Sequence, residues 1–589
     1  MRPYAKHRLS FSIVARASWV AVGCLVSIAT VAAVVQVAQR AEVVEVQLLA
    51  FNDFHGGLEP AAGGTGRIGN QDAGGVEYLA SHLAALRATN PNTIVVSAGD
   101  NIGATPLLSS LFHDEPSIEA LNLAGLQVTA LGNHDLDEGW WELYRIQNGG
   151  CHPTDGCLDG TPYPGAAFPY LAANVILDPA TADPARLAQA GIEGAAARPL
   201  LPGSTVRDVA GVRIGFIGLV LQSAPRVIIA SAVQGLIFQP EPEAANAAAR
   251  ALREQGVRAI VVLIHEGGQQ GASAPATGVN RSFDINGCER MSPGFVDMVE
   301  RMSDDIDVVV SGHTHTTYNC TLDGKLVTSA SSAGRVVTDI DLRVRRSDGV
   351  VVSKTARNMV VTRGVPKDAA QTRLLAHYRP IGDKVGGRLV GSITASLTRD
   401  ENAAGESAIG AVIADALLEA ARNVPGAGAD LAMWNPGGIR ADLIVQPGNA
   451  PTAVTYAQIF SVMPFGNELI VRSITGEVLL KMLEEQFGED RRRIMQVSNG
   501  FTYAYNPSRP FGQRISRDSV HINGRPLELT QVYRLATSNF LWDSGDGMNA
   551  LLAGTDPVLV GTDYDILSEY FSRHSPVEPA ARGRIRLDR

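Results

Sequence analysis

The chain has 589 residues, 45% of them hydrophobic and 19% charged, a globular composition spread over too great a length for one core, so two or more domains are expected. Fifty basic against sixty acidic residues leave a net charge of −10, which argues against nucleic-acid binding driven by excess Lys and Arg. An anionic substrate would need a local source of positive charge.

Residues 1–40 differ from the rest. Arg2, Lys6, Arg8 and Arg16 precede an apolar stretch at 17–38, the pattern of an export signal. The stretch is also long enough to span a bilayer. Two fates are open, cleavage near Val31-Ala32-Ala33 or retention as an N-terminal anchor, and a secreted, periplasmic or cell-surface location follows from either. No second apolar run of that length occurs, so membrane contact is expected only through this segment if it is uncleaved. Cys24 lies inside it, and Cys151, Cys157, Cys288 and Cys320 remain. An even number in an exported chain suggests disulfides; Cys151 with Cys157 and Cys288 with Cys320 is the most local of the three ways to pair them. The lack of a C-x-x-C speaks against a zinc ribbon or thioredoxin-type site.

From Val43 onward, Val/Ile-rich runs alternate with Ala/Leu-rich helical stretches: "VVEVQLLAF", "TIVVSAG", "VTALG", "VRIGFIGLV", "RAIVVLI" and "IDVVVSG". Runs this apolar suit strands covered on both faces, so an α/β layered fold is expected over residues 43–345. The Gly-rich stretch at 61–75 reads as a surface loop. Residues 362–390 are polar, with a helix foreseen after Pro366, and read as an interdomain linker. A smaller mixed α/β domain is expected at 391–575, with an Ala-rich helix near 406–422 and Gly/Pro turns at "NPGGIR", "MPFGN" and "SGDG".

Five of the apolar runs end in residues able to bind metal: Asp53 and His55 in "FNDFH", Asp100 in "SAGDN", Asn133 and His134 in "LGNHDLDEG", His265 in "LIHEGG", and His313 and His315 in "SGHTH". Positions i and i+2 of a strand share a side, so D-x-H and H-x-H can each present two ligands in one direction if extended geometry persists. Parallel sheets place sites beyond the carboxyl ends of strands, and mixed oxygen and nitrogen donors suit two divalent ions with open positions. A single D-x-H is usually a loop accident; five such endings in order are not. "HEGGQ" lacks the second His of a zinc-protease motif.

D-x-H, G-D-N, G-N-H-D, a strand-ending His and G-H-T-H together resemble the calcineurin-like metallophosphoesterase family over about residues 45–342. The whole chain is similar to secreted 5′-nucleotidases carrying a C-terminal nucleotide-binding domain. The resemblance implies a four-layer α/β/β/α sandwich joined by a helical linker to the smaller domain. It also implies two divalent ions (Zn, Mn, Co or Mg), one on Asp53, His55, Asp100 and His315, the other on Asp100, Asn133, His265 and His313, with Asp100 bridging. His134 matches the family's catalytic histidine and Asp137 the carboxylate that orients it. Asp135 and Glu138 read as solvated turn residues.

In the second domain, "NPGGIR" resembles the family's Gly-rich turn, with Asn435 and Arg440. Phe465 and Phe540 match its base-stacking pair and Asp546 its ribose-binding aspartate; Arg399 is a weaker candidate contact to phosphate or ribose. Core packing is the usual fate of a Phe, but these two sit beside turns that also match. The implied activity is release of phosphate from nucleoside 5′-monophosphates, with 2′,3′-cyclic phosphodiesterase and nucleotide-sugar or nucleoside diphosphate hydrolysis as related reactions. A non-catalytic surface ligand-binding protein on the same scaffold is the alternative. If base and phosphate are held by different domains, the linker is expected to act as a hinge.

Overall fold

The computed structural model describes residues 42–271, 284–446, 448–487 and 493–588; the apolar N-terminal segment lies outside them. Among the described residues no helix is long and apolar enough to cross a membrane. Strands Val43–Phe51, Thr93–Ser97, Val128–Ala130 and Tyr170–Leu171 run parallel in a six-stranded sheet, extended at one edge by the antiparallel strands Val336–Arg345 and Val351–Val360. A second six-stranded sheet has a parallel centre of Val212–Val220, Ala259–His265, Val308–Ser311 and Lys325–Ala330, flanked by Ser204–Val209 and Thr317–Leu322.

The sheets face one another. Leu48, Ala50, Val96 and Val128 pack against Phe216, Val261, Leu263 and Val310. On the outer face of the first sheet lie helices Val76–Arg87, Glu115–Ala124 and Trp140–Asn148, contributing Leu79, Leu121 and Trp140; Glu241–Glu254 and Pro293–Glu300 cover the second. Four α/β/β/α layers result, which explains why a strand such as Ala259–His265 is buried at every position and reads as a continuous apolar run. Cys151 is bonded to Cys157 and Cys288 to Cys320.

The C-terminal region is built on a five-stranded mixed sheet of Gln496–Val497, Leu431–Trp434, Val532–Ser538, Glu468–Thr475 and Thr555–Thr562, in that spatial order. Helix Ala408–Asn423 packs on it and starts where the Ser407 hydroxyl accepts the Gly410 N–H, an N-cap that satisfies an otherwise orphan donor.

The segment read as a linker forms helix Ala369–Gly386, capped by the Asp368 carboxylate. It is not free-standing. Gln371 and Leu375 are fully buried, Leu375 within the core of the first domain, and the Tyr378 ring meets Phe112 edge-on at 4.8 Å. At its far end Gly386 lies so close to Ala457 that a Cβ would sit 2.8 Å from that methyl. The Gly-rich loop near 61–75 also touches the second domain, through Gly63 against Ile444.

Because Leu375 fills a closed core, Leu375→Ala should destabilise the first domain by about 2–5 kcal/mol, read by denaturant unfolding; an unchanged midpoint would mean the helix is only a tether.

Candidate active site

Four of the strands that deliver site residues end two or three residues before the first of them, and the fifth ends on His265 itself. The first strand ends at Phe51, and extended geometry does not persist: Asp53 and His55 adopt φ of 50° and 42°, Asp100 51°, and His313 and His315 69° and 56°. The i, i+2 argument for D-x-H and H-x-H therefore gives way to alternating left-handed turns. Left-handed backbone costs a non-glycine residue roughly 1–2 kcal/mol, and five such residues at one rim mark a place where the surrounding structure enforces the conformation. The loops hold one another through Asp53 N–H to Gly99 O and His55 N–H to Asp100 O, both 3.0 Å, and Ala333 N–H to Asp53 O, 2.7 Å.

The seven predicted ligands converge. Asp53, His55 and His315 place one ligand atom each within 4.8 Å of one another, as do Asp53, Asp100 and His265. Asp100 Oδ2 lies 2.9 Å from His265 Nε2 and 3.5 Å from His55 Nε2, between members of the two expected groups. His313 Nδ1 meets Asn133 Oδ1 at 3.0 Å, and its ring lies 5.3 Å from that of His265.

The donor chemistry fits a divalent ion. His55 Nδ1 donates to Gly103 O at 2.9 Å and His265 Nδ1 to Ala98 O at 2.8 Å; a carbonyl only accepts, so both rings carry their proton on Nδ1 and turn an Nε2 lone pair toward the carboxylates. His55 Nε2 faces His315 Nε2 at 3.2 Å, and the buried His265 Nε2 has no well-formed hydrogen bond despite its nearness to Asp100. Lone pairs facing carboxylate oxygens require a cation between them. Without one, a proton takes that place: burial resists charging His265, but Asp100 and Asp53 outweigh it and push its pKa up to about 10. Burial likewise works against the Asp100 charge, yet His265, His134 and His55 hold it well below the usual carboxylate range.

His134 begins a short 3-10 turn, His134–Leu136. Its backbone N–H donates to Asp100 Oδ1 at 2.8 Å, and its Nδ1 pairs with Asp137 Oδ2 at 2.8 Å. Burial disfavours the imidazolium, but Asp137 and Asp100 prevail and raise its pKa.

Asp135 is not a solvated turn residue. It is 3% exposed, and its carboxylate accepts the N–H groups of Gly132 at 2.7 Å, Asp100 at 3.1 Å, Asn101 at 3.0 Å and Ile102 at 3.2 Å. Burial first, then the Asp100 charge, pushes its pKa up to about 7. The side chain clamps the loop of Asp100 to the loop of Asn133, whose close approach leaves no room for a Cβ at Gly132, which would sit 2.1 Å from Asp100 Oδ1. A carboxylate inside "NHDLD" looks the same in sequence whether it faces water or bare amides. Glu138 is exposed, as expected, and pairs with His113.

A cavity of about 400 Å³ opens over these groups, lined on one side by Asp100, Asn133, His134, Asp137, His313 and His315. The other side comes from the second domain: Asn435, Arg440, Phe465, Phe540 and Asp546. Arg440 Nη2 reaches 3.4 Å from His55 Nε2, and the Phe465 ring lies 5.6 Å from that of His134. Asn435 donates to Asp546 Oδ2 at 2.9 Å, and Arg493 pairs with the other oxygen. Arg493 also lines the cavity; it sits in a charged run with no motif to single it out. Arg399 stands apart, held by Asp442 at 3.3 Å beside the Ile439 carbonyl and outside the cavity lining.

Residues 385–553 match the model of the 5′-nucleotidase C-terminal domain. The fold of the 5′-nucleotidase precursor from Thermus thermophilus superposes with a TM-score of 0.73 over 92% of this chain and 99% of that one, at 24% identity. The chain belongs to the 5′-nucleotidase family. Members are metal-dependent hydrolases with a calcineurin-like N-terminal domain. Among curated relatives, the cell wall protein Lmo0130 of Listeria monocytogenes is 30% identical over 88% of this chain, and the endonuclease YhcR of Bacillus subtilis 29% over 93%. The chain spans 66% and 41% of the lengths of those two proteins.

Removing the Asp135 clamp strands four backbone donors, so Asp135→Ala should cost at least about 3 kcal/mol and lower bound metal; thermal unfolding at the wild-type temperature would refute the clamp.

Proposed function

We propose that the chain is an exported, metal-dependent phosphohydrolase that releases phosphate from nucleoside 5′-monophosphates. The observation that carries this reading is the position of Arg440: a guanidinium from the second domain lies 3.4 Å from a candidate metal-donor imidazole, and a half-buried cation beside a cationic centre calls for an anion bound between them. A phosphate ester meets that demand, and local cations overcome the overall charge of −10.

Two divalent ions held by Asp53, His55, Asp100, Asn133, His265, His313 and His315 would supply Lewis acidity and an activated water; Zn, Mn, Co and Mg all suit the donor set. Arg440 binds the phosphoryl oxygens as a planar fork. His134 keeps one proton on Nδ1 against Asp137 and presents Nε2 to the ester; its raised pKa favours the imidazolium, which can protonate the leaving ribose oxygen. Phe465 and Phe540 take the base between them, and Asp546, steadied by Asn435 and Arg493, accepts from the ribose hydroxyls. Arg399 would join the phosphate side only if its pairing with Asp442 opened. Cyclic nucleotides, nucleoside diphosphates and nucleotide-sugars share the phosphate and base that these groups address. The complete donor set argues against a non-catalytic binder. Two disulfides support an oxidising, extracytoplasmic setting.

After chelation, AMP hydrolysis should return with Mn²⁺, Zn²⁺ or Co²⁺; a folded chain silent with all three would favour the binder instead. His134→Ala should lower kcat by about 10²–10⁴-fold while metal content stays at the wild-type level. Phe540→Ala should weaken nucleotide recognition by about 1–3 kcal/mol and leave a small aryl phosphate nearly untouched; an equal loss on both substrates would take base stacking away from Phe540.

A further inference from the structure

Outside the seven donors, His113, Glu138, Glu142 and His152 each direct one ligand atom toward a common point, all within 4.8 Å of one another. They come from four places in the chain: the turn after helix Leu107–Ser110, the turn before helix Trp140–Asn148, that helix itself, and the loop closed by the Cys151–Cys157 disulfide. His113 Nδ1 lies 2.8 Å from Glu138 Oε2. The His113 and His152 rings stack with centroids 3.7 Å apart and planes 14° from parallel, so both can offer a nitrogen on the same side. Asp155 Oδ2 sits 2.9 Å from His113 Nε2 and 3.4 Å from His152 Nδ1, the kind of outer carboxylate that orients ligating imidazoles.

Glu142 decides what the cluster is for. It is 5% exposed, and its Oε1 is taken by Arg145, at 2.8 Å from Nε and 2.6 Å from Nη2. Its Oε2 is buried with no hydrogen-bond partner. Arg145 Nη1 also serves Glu115 at 2.5 Å and the Gly150 carbonyl at 2.8 Å, and its Nη2, though close to Oε1, makes no well-formed hydrogen bond and does not reach Oε2 with one. A buried carboxylate oxygen left without a partner is costly. Two imidazoles and two carboxylates, each with one ligand atom in the group, form a mixed N/O set of the type that binds zinc and its neighbours.

We propose that His113, Glu138, Glu142 and His152 form an additional divalent-metal site, distinct from the seven-donor centre and independent of the reaction assigned to it. An ion there satisfies Glu142 Oε2 and offsets the negative charge of this wall. It also ties the disulfide-closed loop to the cavity, whose lining includes His113, Glu138 and Glu142.

The test uses the full chain, stripped with a chelator, reloaded with Zn²⁺ and desalted. Wild type should hold one more zinc per chain than either His152→Ala or His113→Gln, measured by elemental analysis. Anomalous diffraction at the zinc edge from wild-type crystals should give a peak about 2.0–2.1 Å from nitrogens of His113 and His152. The same peak should survive Asp53→Asn, which separates this site from any failure of the seven-donor reading. Equal zinc content in wild type and both variants, or a wild-type map without the peak, overturns the proposal.

Discussion

The site depends on a conflict that the protein alone cannot resolve. Two backbone carbonyls, of Ala98 and Gly103, fix the tautomers of His265 and His55 and thereby aim two lone pairs at the carboxylates of Asp53 and Asp100. His55 Nε2 is met by His315 Nε2 and by the Arg440 guanidinium, whereas at His265 the opposition is eased by a proton, which Asp100 and Asp53 favour against burial. A divalent ion resolves it without the proton, so metal binding and the architecture of the rim are two sides of one energetic balance.

Holding the donors in that arrangement takes support from behind. Five of the seven candidate ligands sit in left-handed backbone, and the loops carrying them are fastened to one another, as well as internally, by amide-to-carbonyl bonds. Asp135 gathers four amides from two loops at once. Its hydrogen bonds all go to backbone, none to a metal donor's side chain, yet the placement of Asp100 relative to Asn133 rests on it.

Much of the first domain was legible because doubly covered parallel strands leave an unmistakable record: uninterrupted Val/Ile runs that stop where polar side chains begin. The candidate donors could be grouped because they follow the ends of such runs. Their backbone could not be foreseen, since D-x-H and H-x-H carry no sign of positive φ. Asp135 escaped for a related reason, because exposure is decided by the loops packed around a residue and not by its neighbours in sequence. The linker was recognised by polarity, which reflects the exposed face of helix Ala369–Gly386; the buried face, with Gln371 and Leu375, is too sparse to register. In the second domain Asn435, Arg440, Phe465, Phe540 and Asp546 meet in one lining, whereas Arg399, matched to the family in a stretch without a fixed register, is engaged elsewhere.

The seating of that linker helix constrains how the two halves can move. Most of its length is locked into the first domain's core, and its last turn meets the second domain backbone-first, Gly386 against Ala457. Reorientation must then be concentrated in the few residues between Gly386 and the strand that begins at Leu389. Were the smaller domain to turn, its pivot would lie there, with Arg440, Phe465 and Phe540 on the far side of one short joint, so that a modest angular change would shift all three together relative to the rim.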